Sequence, residues 1–275
     1  MSTAVETKPV NKSMHLVWFF TDTWLMTKRS VLHLVRSLDQ VMGLIAFPIM
    51  FTLLNRYVLG GAIERSLPPG VDYANYVFAG VFIQTLAFGA NYTTINLAVD
   101  LKEGIVDRFR SLPMNNSALI IGHVISDLFR NFISGIIIVV VAFAIGFRPD
   151  ASIADWASIV LLVTLFTLAV SALSAILGLM VKTLEAAQWI GFVVIFPLTF
   201  ISSAFVPPET MPSWLQGFAK NQPLTLVMDY VRDKTVDGLD PIAADTFSRA
   251  MIWCIAVIII SIPVTTWMFK RRSNV

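Results

Sequence analysis

The side chains that could take part in chemistry stand at helical spacing in one short stretch of this chain. His123 precedes Asp127 by four positions and Asp127 precedes Arg130 by three, so a helix would place all three on one face. His123 and Asp127 could relay a proton, or they could form a hydrogen-bonded structural pair, which is the commoner arrangement. Asp127 and Arg130 could form an ion pair that anchors a membrane helix. The other two histidines, His15 and His33, have no such partners, and we interpret them as interfacial residues.

The sequence lacks the motifs and residue clusters that nucleotide binding, metal binding and enzymatic catalysis usually need. The sequence contains no GxxxxGK(S/T) phosphate loop, no GxGxxG motif after a strand and no HExxH motif. Its single cysteine, Cys254, cannot form an internal disulfide, and no cysteines and histidines stand at metal-ligand spacing. The net charge of +2 is too small to indicate binding to nucleic acid. We therefore predict no catalytic residue, no metal site and no cofactor on this chain, which favours a non-enzymatic role.

The composition is that of a protein embedded in a membrane. Hydrophobic residues make up 56% of the 275 residues, charged residues make up 14%, and the mean hydropathy is +0.73. Soluble domains carry about a quarter charged residues. Several apolar stretches approach the length of about 20 residues that crosses a bilayer as a helix. The sequence therefore predicts an all-α polytopic membrane protein with six transmembrane helices, at about 41–59, 73–99, 118–147, 154–181, 187–206 and 247–269.

Basic residues indicate how the protein is oriented in its membrane. With six spans, twelve lysines and arginines lie on one side, in residues 1–38, in the loop 100–117, at Lys182 and in the C-terminal tail. The opposite loops carry fewer basic residues, which are mixed with acidic ones. Cytoplasmic loops are enriched in lysine and arginine. We therefore predict that both termini and the loop 100–117 are cytoplasmic.

Two segments outside the spans are predicted to lie against the membrane. Residues 14–38 are amphipathic, and we interpret them as an interfacial helix on the cytoplasmic leaflet, with a short soluble helix packed on the protein as the alternative. Residues 207–245 are too apolar for a free loop, and prolines at 207, 208, 212 and 223 forbid one continuous helix. We expect two short outer helices there, partly re-entrant. The chain thus divides into an N-terminal region, 1–38, and a membrane domain, 39–272.

The loop between the second and third spans contains a charged, helix-forming segment. Residues 102–114 read KEGIVDRFRSLPM, in which Ile105, Phe109 and Leu112 fall at i, i+4 and i+7 and would form one apolar stripe. Pro113 would end the helix, because the residue before a proline is pushed out of the helical conformation. On the cytoplasmic side, such a helix could bind a partner protein. The alternative is a solvated basic loop that only sets the orientation.

A group of polar and aromatic residues in the spans forms a candidate substrate pathway. We assign to it Phe51, Arg56, Asn91, Tyr92 and Phe205. Arg56 could instead reach the outer headgroups, and polar residues such as Asn91 could join neighbouring helices. The aromatic side chains are equally suited to contact with lipid. The central spans are nearly free of charge, which disfavours an ion-driven secondary transporter.

Three stretches resemble the permease subunits of type-2 ABC exporters, and in particular the daunorubicin-resistance permease group of actinobacteria. They read FPIMFTLLNRYVLGGAI at 47–63, KEGIVDRFRSLPM at 102–114 and SSAFVPPETMPSWLQGFAKNQPLT at 202–225. The resemblance extends, in order, over residues 16–272. It implies six spans with an N-terminal interfacial helix, a cytoplasmic coupling helix and outer re-entrant helices.

The same resemblance implies a permease that exports a hydrophobic or amphipathic compound, an antibiotic or a lipid, across a bacterial plasma membrane. Two copies of a separate ATPase subunit, which bind ATP and Mg²⁺, would drive it, and a second permease copy would complete it, as a homodimer or with a related permease. The residues expected to contact the ATPase are Glu103, Gly104, Asp107, Arg108, Phe109, Arg110 and Pro113. The alternatives are an ion-driven secondary transporter and a membrane scaffold or lipid-binding protein.

Overall fold

The computed structural model describes residues 21, 23–25, 27–32, 36–59, 73–104, 116–204, 207–236, 238–239 and 241–272. These residues are mostly helical and include no β-strand. Residues 21–32, apart from 22 and 26, are helical, and we call them the N-terminal segment. The helices that follow are α1 (Leu38–Leu54), α2 (Tyr73–Lys102), α3 (Asn116–Ala144), α4 (Ile153–Met180), α5 (Leu184–Phe200), α6 (Ser213–Asn221), α7 (Pro223–Thr235) and α8 (Thr246–Arg272). A π-helical turn, Asn55–Leu59, extends α1, and a 3-10 turn, Pro208–Thr210, precedes α6.

Four helices in the described part of the chain are long and apolar enough to cross a membrane. The stretches that qualify are Val41–Val58, Ile121–Ala144, Ile153–Met180 and Thr246–Phe269. Helix α5 is apolar but has only 17 residues, and α2 has 30 residues but carries several polar ones. The prediction of an all-helical polytopic membrane protein is confirmed. The number of six spans stays a prediction.

Helix α2 lies at the centre of the bundle, which explains its polar residues. It contacts α3, α4, α5 and α7, and every side chain from Tyr76 to Ala87 is buried. Its buried polar residues are Gln84, Thr85, Thr93, Thr94 and Asp100. Because they face other helices rather than lipid, they can be hydrogen-bonded within the protein, as membrane-embedded polar groups must be. Apolarity alone is therefore a poor measure of whether such a central helix spans the membrane.

Glycines allow α2 to approach two neighbours closely. A Cβ atom at Gly80 would lie 2.6 Å from the carbonyl oxygen of Ala204, in the turn that follows α5. On the other side, a Cβ at Gly178 of α4 would lie 2.9 Å from the carbonyl oxygen of Thr94. Both distances are too short for a side chain, so glycine is required at these helix contacts.

The two short helices between α5 and α8 begin and end near the prolines, as the sequence predicts. Pro212 precedes α6, and Pro223 is the first residue of α7. Between them, Gln222 donates from Nε2 to the carbonyl oxygens of Leu198 and Ile201, at 2.8 and 2.7 Å. These bonds fix the start of α7 to the end of α5. The re-entrant position of α6 and α7 in a membrane stays a prediction.

One face of the N-terminal segment packs against the rest of the protein, and the opposite face is exposed. Thr23 and Thr27 are buried, whereas Trp24 and Leu25 are 65% and 50% exposed. Such exposed apolar side chains next to a basic residue, Lys28, fit the amphipathic pattern of an interfacial helix. Its position on the cytoplasmic leaflet stays a prediction, and residues 14–20 of the predicted interfacial helix lie outside the described residues.

Candidate functional site

Helix α2 leads directly into the predicted coupling segment. After its last residue, Lys102, the chain turns at Glu103 and Gly104, where the Gly104 amide donates to the carbonyl oxygen of Leu101 at 3.4 Å. Gly104 has a φ of 67°, the left-handed conformation that commonly ends helices at glycine. The Glu103 side chain is exposed. The other predicted coupling residues lie outside the described residues: Asp107, Arg108, Phe109, Arg110 and Pro113.

Just before this turn, Asp100 joins three separate segments. Arg29 of the N-terminal segment donates from Nη2 to Oδ1 of Asp100 at 2.9 Å and from Nη1 to Oδ2 at 3.3 Å. His123 of α3 places its Nε2 atom 3.0 Å from Oδ2 of Asp100. The carboxylate and the imidazole are buried, and Arg29 is partly exposed. We call these three residues the Asp100 cluster. Hydrogen bonds that involve a charged partner are stronger than neutral ones, so the cluster holds the N-terminal segment and α3 to the end of α2.

The structure gives His123 a partner other than the Asp127 that helical spacing suggests. Helical spacing relates only residues of one helix, whereas Asp100 belongs to α2 and His123 to α3. Asp127 is bound by Arg130, Thr93 and Ser171 instead. The Asp100 carboxylate is the partner of His123. This pairing supports the structural interpretation of His123 and not the proton relay with Asp127.

Asp127 and Arg130 form the ion pair that their spacing predicts. Oδ2 of Asp127 accepts hydrogen bonds from Thr93 at 2.8 Å and from Ser171 at 2.7 Å. Arg130 donates to the carbonyl oxygen of Gly89 at 3.4 Å. Both charged side chains are buried, at 2% and 5% exposure. The pair joins α2, α3 and α4, and because its charges neutralise each other it can remain at this depth.

A second Asp-x-x-Arg pair, Asp229 and Arg232, lies in α7. Their closest side-chain atoms are 3.2 Å apart, and Arg232 also donates to the carbonyl oxygens of Ser203, at 2.8 Å, and of Tyr76, at 3.4 Å. The Ser203 hydroxyl donates to Asp229. Burial is the largest influence on the pKa of the Asp229 carboxyl and raises it, although Arg232 and Ser203 oppose this effect. Our sequence analysis missed this pair, which has the same i,i+3 spacing as Asp127 and Arg130.

The two arginines hold α2 in the same way at two levels. The guanidinium of Arg130 lies 4.0 Å from the ring centroid of Tyr92, and that of Arg232 lies 4.1 Å from that of Tyr76. Both are cation–π contacts, and each arginine also binds a carbonyl oxygen of α2. Tyr76 and Tyr92 are sixteen positions apart, or about 24 Å along a helix. Arg232 therefore fastens the start of α2 to α7, and Arg130 fastens its second half to α3.

The predicted pathway residues Asn91 and Tyr92 turn toward different helices. Asn91 lies against Gly191 of α5, and its Nδ2 atom is 3.5 Å from the carbonyl oxygen of Gln188. Tyr92 lies beneath Arg130 of α3. These contacts are of the kind that joins helices, which was the alternative interpretation of polar residues in this span.

The other predicted pathway residues lie along α1 or beyond the described part of the chain. Phe51 stacks on Phe47, with ring centroids 5.6 Å apart, and packs against Val77 and Val81 of α2. Arg56 lies in the π-helical turn that follows α1. Phe205 lies outside the described residues. Asn91, Tyr92, Phe51 and Arg56 are thus spread over two helices, and the pathway assignment stays a prediction.

A small polar cavity of about 110 Å³ lies between the Asp100 cluster and the Asp127–Arg130 pair. Its lining comes from the N-terminal segment, α2 and its terminal turn, and α3: Arg29, Ser30, Val31, Asn96, Val99, Asp100, Glu103, His123, Ser126, Asp127 and Arg130. Across the described residues, no group of three or more His, Cys, Asp or Glu side chains could hold a metal ion. The cavity thus brings together charges of both signs at the end of α2 that leads to the coupling segment.

Comparison with known proteins relates this arrangement to membrane transport. The chain is 26% identical to the daunorubicin resistance ABC transporter permease protein DrrB1 of Streptomyces coeruleorubidus, over 85% of this chain and 81% of that protein. It is 21% identical to the probable doxorubicin resistance ABC transporter permease protein DrrC of Mycobacterium tuberculosis, over 93% and 91%. It is 25% identical to the putative transport permease ycf38 of Cyanophora paradoxa, over 81% and 77%.

A family model gives the broader relationship. The model described as ABC-2 type transporter matches residues 21–234. This range includes the Asp100 cluster, both Asp-x-x-Arg pairs and the predicted coupling segment. The resemblance inferred from three short stretches is therefore confirmed over most of the chain. The chain belongs to the ABC-2 type transporter family of membrane permeases and is homologous to the daunorubicin and doxorubicin resistance permeases DrrB1 and DrrC.

Proposed function

We propose that this chain is the permease subunit of an ATP-driven exporter that moves a hydrophobic or amphipathic compound, an antibiotic or a lipid, out of a bacterial cell. Two copies of a separate ATPase subunit bind ATP and Mg²⁺ and drive it. A second copy of the permease pairs with the first in the plasma membrane, and both termini face the cytoplasm. Family membership and the names of the homologous drug-resistance permeases support this proposal.

The observation that carries the proposal is the position of the Asp100 cluster. Asp100 lies two residues before the coupling segment 102–114, and its carboxylate is bonded to Arg29 and His123. A push on the coupling segment would therefore act on α2 together with the N-terminal segment and α3. Through Arg130 and Arg232 the same displacement would reach α3 and α7. A central helix fastened at both ends is suited to carry force from a cytoplasmic ATPase into the membrane.

The pairing of buried charges supports an ATP-driven mechanism over an ion-driven one. Asp127 and Arg130 lie within the apolar stretch Ile121–Ala144 of α3, where ion-coupled transporters place titratable groups. They form an ion pair with each other, and Asp127 accepts two further hydrogen bonds. The carboxylate is thus occupied by groups of the protein itself, which favours a structural role over the binding of a transported ion.

The experiment uses the full chain and its ATPase partner, identified first by co-purification with the chain, reconstituted together in lipid vesicles. Daunorubicin and a fluorescent phospholipid are the two probes, because the drug and lipid alternatives predict different cargo. The double variant Arg108→Ala with Phe109→Ala should abolish ATP-dependent movement of the transported probe while ATP hydrolysis and membrane insertion persist. The matched control is Lys182→Ala, an exposed basic residue of the other predicted cytoplasmic loop, which should transport normally.

Three outcomes would count against the proposal. Normal export by the correctly inserted double variant would remove the coupling role of residues 102–114. Transport that continues without ATP but stops when the proton gradient is dissipated would indicate a secondary transporter. A chain that binds lipid but moves neither probe with its ATPase would favour a scaffold or lipid-binding role.

A further inference from the structure

Two exposed tryptophans each stand four positions before an exposed basic residue. Trp24 precedes Lys28 on the N-terminal segment, and Trp267 precedes Arg271 near the end of α8. The two tryptophans are 65% and 58% exposed. The Arg271 guanidinium lies 5.4 Å from the centroid of the Trp267 ring. Residues four positions apart are neighbours on a helix surface, so each ring shares an outer face with its basic side chain. We call them the two Trp–basic pairs.

Both Trp–basic pairs lie at the end of the bundle where α2 leads into the coupling segment. Arg29 of the N-terminal segment binds Asp100, near the end of α2. Phe269 of α8 is buried in a cluster with Leu97 of α2. Leu97 and Asp100 are three positions apart, or about 4.5 Å along a helix. The segments that carry the two pairs are therefore held to α2 at nearly the same level.

The basic members of the two pairs are not neutralised within the described part of the chain. No carboxyl group of a described residue forms an ion pair with Lys28 or Arg271. Helix α6 offers a contrast, because its Lys220 forms an ion pair with Glu209 at 2.8 Å. The same helix carries Trp214, which is 79% exposed. Helix α6 therefore combines an exposed ring with a neutralised cation and serves as an internal comparison.

A tryptophan beside a basic side chain is suited to the surface of a bilayer. The ring prefers the boundary between headgroups and acyl chains, and the long basic side chain reaches the headgroup layer. The chain belongs to a family of membrane permeases, so lipid is at hand for such an outer face. The phosphate of a zwitterionic headgroup is already balanced by its own ammonium group. The phosphate of an anionic headgroup is not, and it supplies the counter-charge that Lys28 and Arg271 need.

We propose that each Trp–basic pair binds the headgroup of an anionic phospholipid. The lipid phosphate lies at Lys28 or Arg271, and the tryptophan ring lies against the glycerol and the upper part of the acyl chains. The two lipids would hold the N-terminal segment and the end of α8 at one depth in the membrane. The proposal depends on the membrane setting and not on ATP or an ATPase, so it can be tested apart from the proposed function.

The test uses the full chain in nanodiscs of phosphatidylcholine that contain a trace of one photoreactive lipid. This lipid is either phosphatidylglycerol or phosphatidylcholine, with the same diazirine near the carbonyl end of one acyl chain. Peptide mapping after illumination gives the labelling at each Trp–basic pair and at α6. Phosphatidylglycerol should label both pairs about fivefold more than phosphatidylcholine, the factor that one basic residue near the membrane surface contributes. The two lipids should label α6 equally.

Two single variants serve as controls for each other. Lys28→Gln should remove the preference for phosphatidylglycerol at the N-terminal segment and leave it at α8, and Arg271→Gln should do the reverse. Both side chains are exposed, so neither change disturbs the packing of the bundle. Equal labelling of the wild-type pairs by the two lipids would overturn the proposal. A preference that persists at the altered pair, or one of equal size at α6, would overturn it as well.

Discussion

The Nε2 atom of His123 lies 3.0 Å from Oδ2 of Asp100, although 23 positions separate the two residues in the chain. Arg29 of the N-terminal segment binds the same carboxylate. Together the two contacts hold α3 and the N-terminal segment to the end of α2, where the coupling segment begins. In an ABC-2 permease, this is the region that we propose receives force from the ATPase. The contact accordingly has two roles that can be measured separately, one in stability and one in transport.

Loss of the Asp100 carboxylate should release the N-terminal segment. In Asp100→Asn, we expect a loss of about 1–3 kcal/mol in the free energy of unfolding, because charge-assisted bonds to two partners are weakened. Trypsin should also cleave faster at Lys28 and Arg29. The control is Asp150→Asn, which changes an exposed carboxyl outside the cluster. Unfolding titrations in mixed micelles and timed proteolysis provide the measurements, and equal behaviour of the two variants would contradict the role of the cluster.

The Asp127–Arg130 pair should behave as a coupled unit. Either Asp127→Leu or Arg130→Met alone should cost about 3–5 kcal/mol, because each leaves one buried charge without its partner. The double variant should cost clearly less than the two single changes added together. A double-mutant cycle from unfolding titrations measures the difference. Additive costs would show that the two side chains do not depend on each other.

A lysine at position 232 should not stabilise the protein as Arg232 does. The guanidinium of Arg232 contacts the Tyr76 ring, two carbonyl oxygens and Asp229 at once, which a single ammonium group cannot reproduce. We expect Arg232→Lys to lower the free energy of unfolding by about 2 kcal/mol. The matched change is Arg249→Lys, because Arg249 is partly exposed and its contacts, to Asn221 and to an Asp245 oxygen 4.0 Å away, are ones that an ammonium group can also make. That change should remain within about 0.5 kcal/mol of the wild type, and a similar cost at both sites would disprove the specific role of Arg232.

Two glycine-to-alanine changes should have opposite effects. Gly80→Ala places a methyl group against the Ala204 carbonyl and should destabilise the protein by about 1–3 kcal/mol. Gly217 lies in α6 with open space where a Cβ would be added, so Gly217→Ala should stabilise by about 0.5–1 kcal/mol through its higher helix propensity. Thermal denaturation in detergent compares both with the wild type. A Gly80→Ala variant as stable as the wild type would mean that the contact at Gly80 is looser than in the structure, and a destabilised Gly217→Ala variant would contradict the open space at Gly217.

Much of the fold could be predicted from local properties of the sequence. Continuous apolar stretches predict helices in a membrane, and four prolines predict interrupted helices before α8. The i,i+3 spacing of Asp127 and Arg130 predicts their ion pair, because both residues share one helix. Asp229 and Arg232 have the same spacing within α7, so the same local signal could have predicted their pair. The number of spans is harder to predict, because the central α2 is polar where it faces other helices.

The sequence by itself determined the helical class, the membrane setting, the family resemblance and the ion pair within α3, since all of these depend on composition, local spacing or matching stretches. Only the tertiary structure decided that His123 meets Asp100, that Arg232 reaches Tyr76 across 156 positions, and that the Asn131 amide packs against Gly89 of α2. These contacts arise where helices far apart in the chain pack together. Their geometry depends on which helix faces are adjacent, and no local periodicity carries that information.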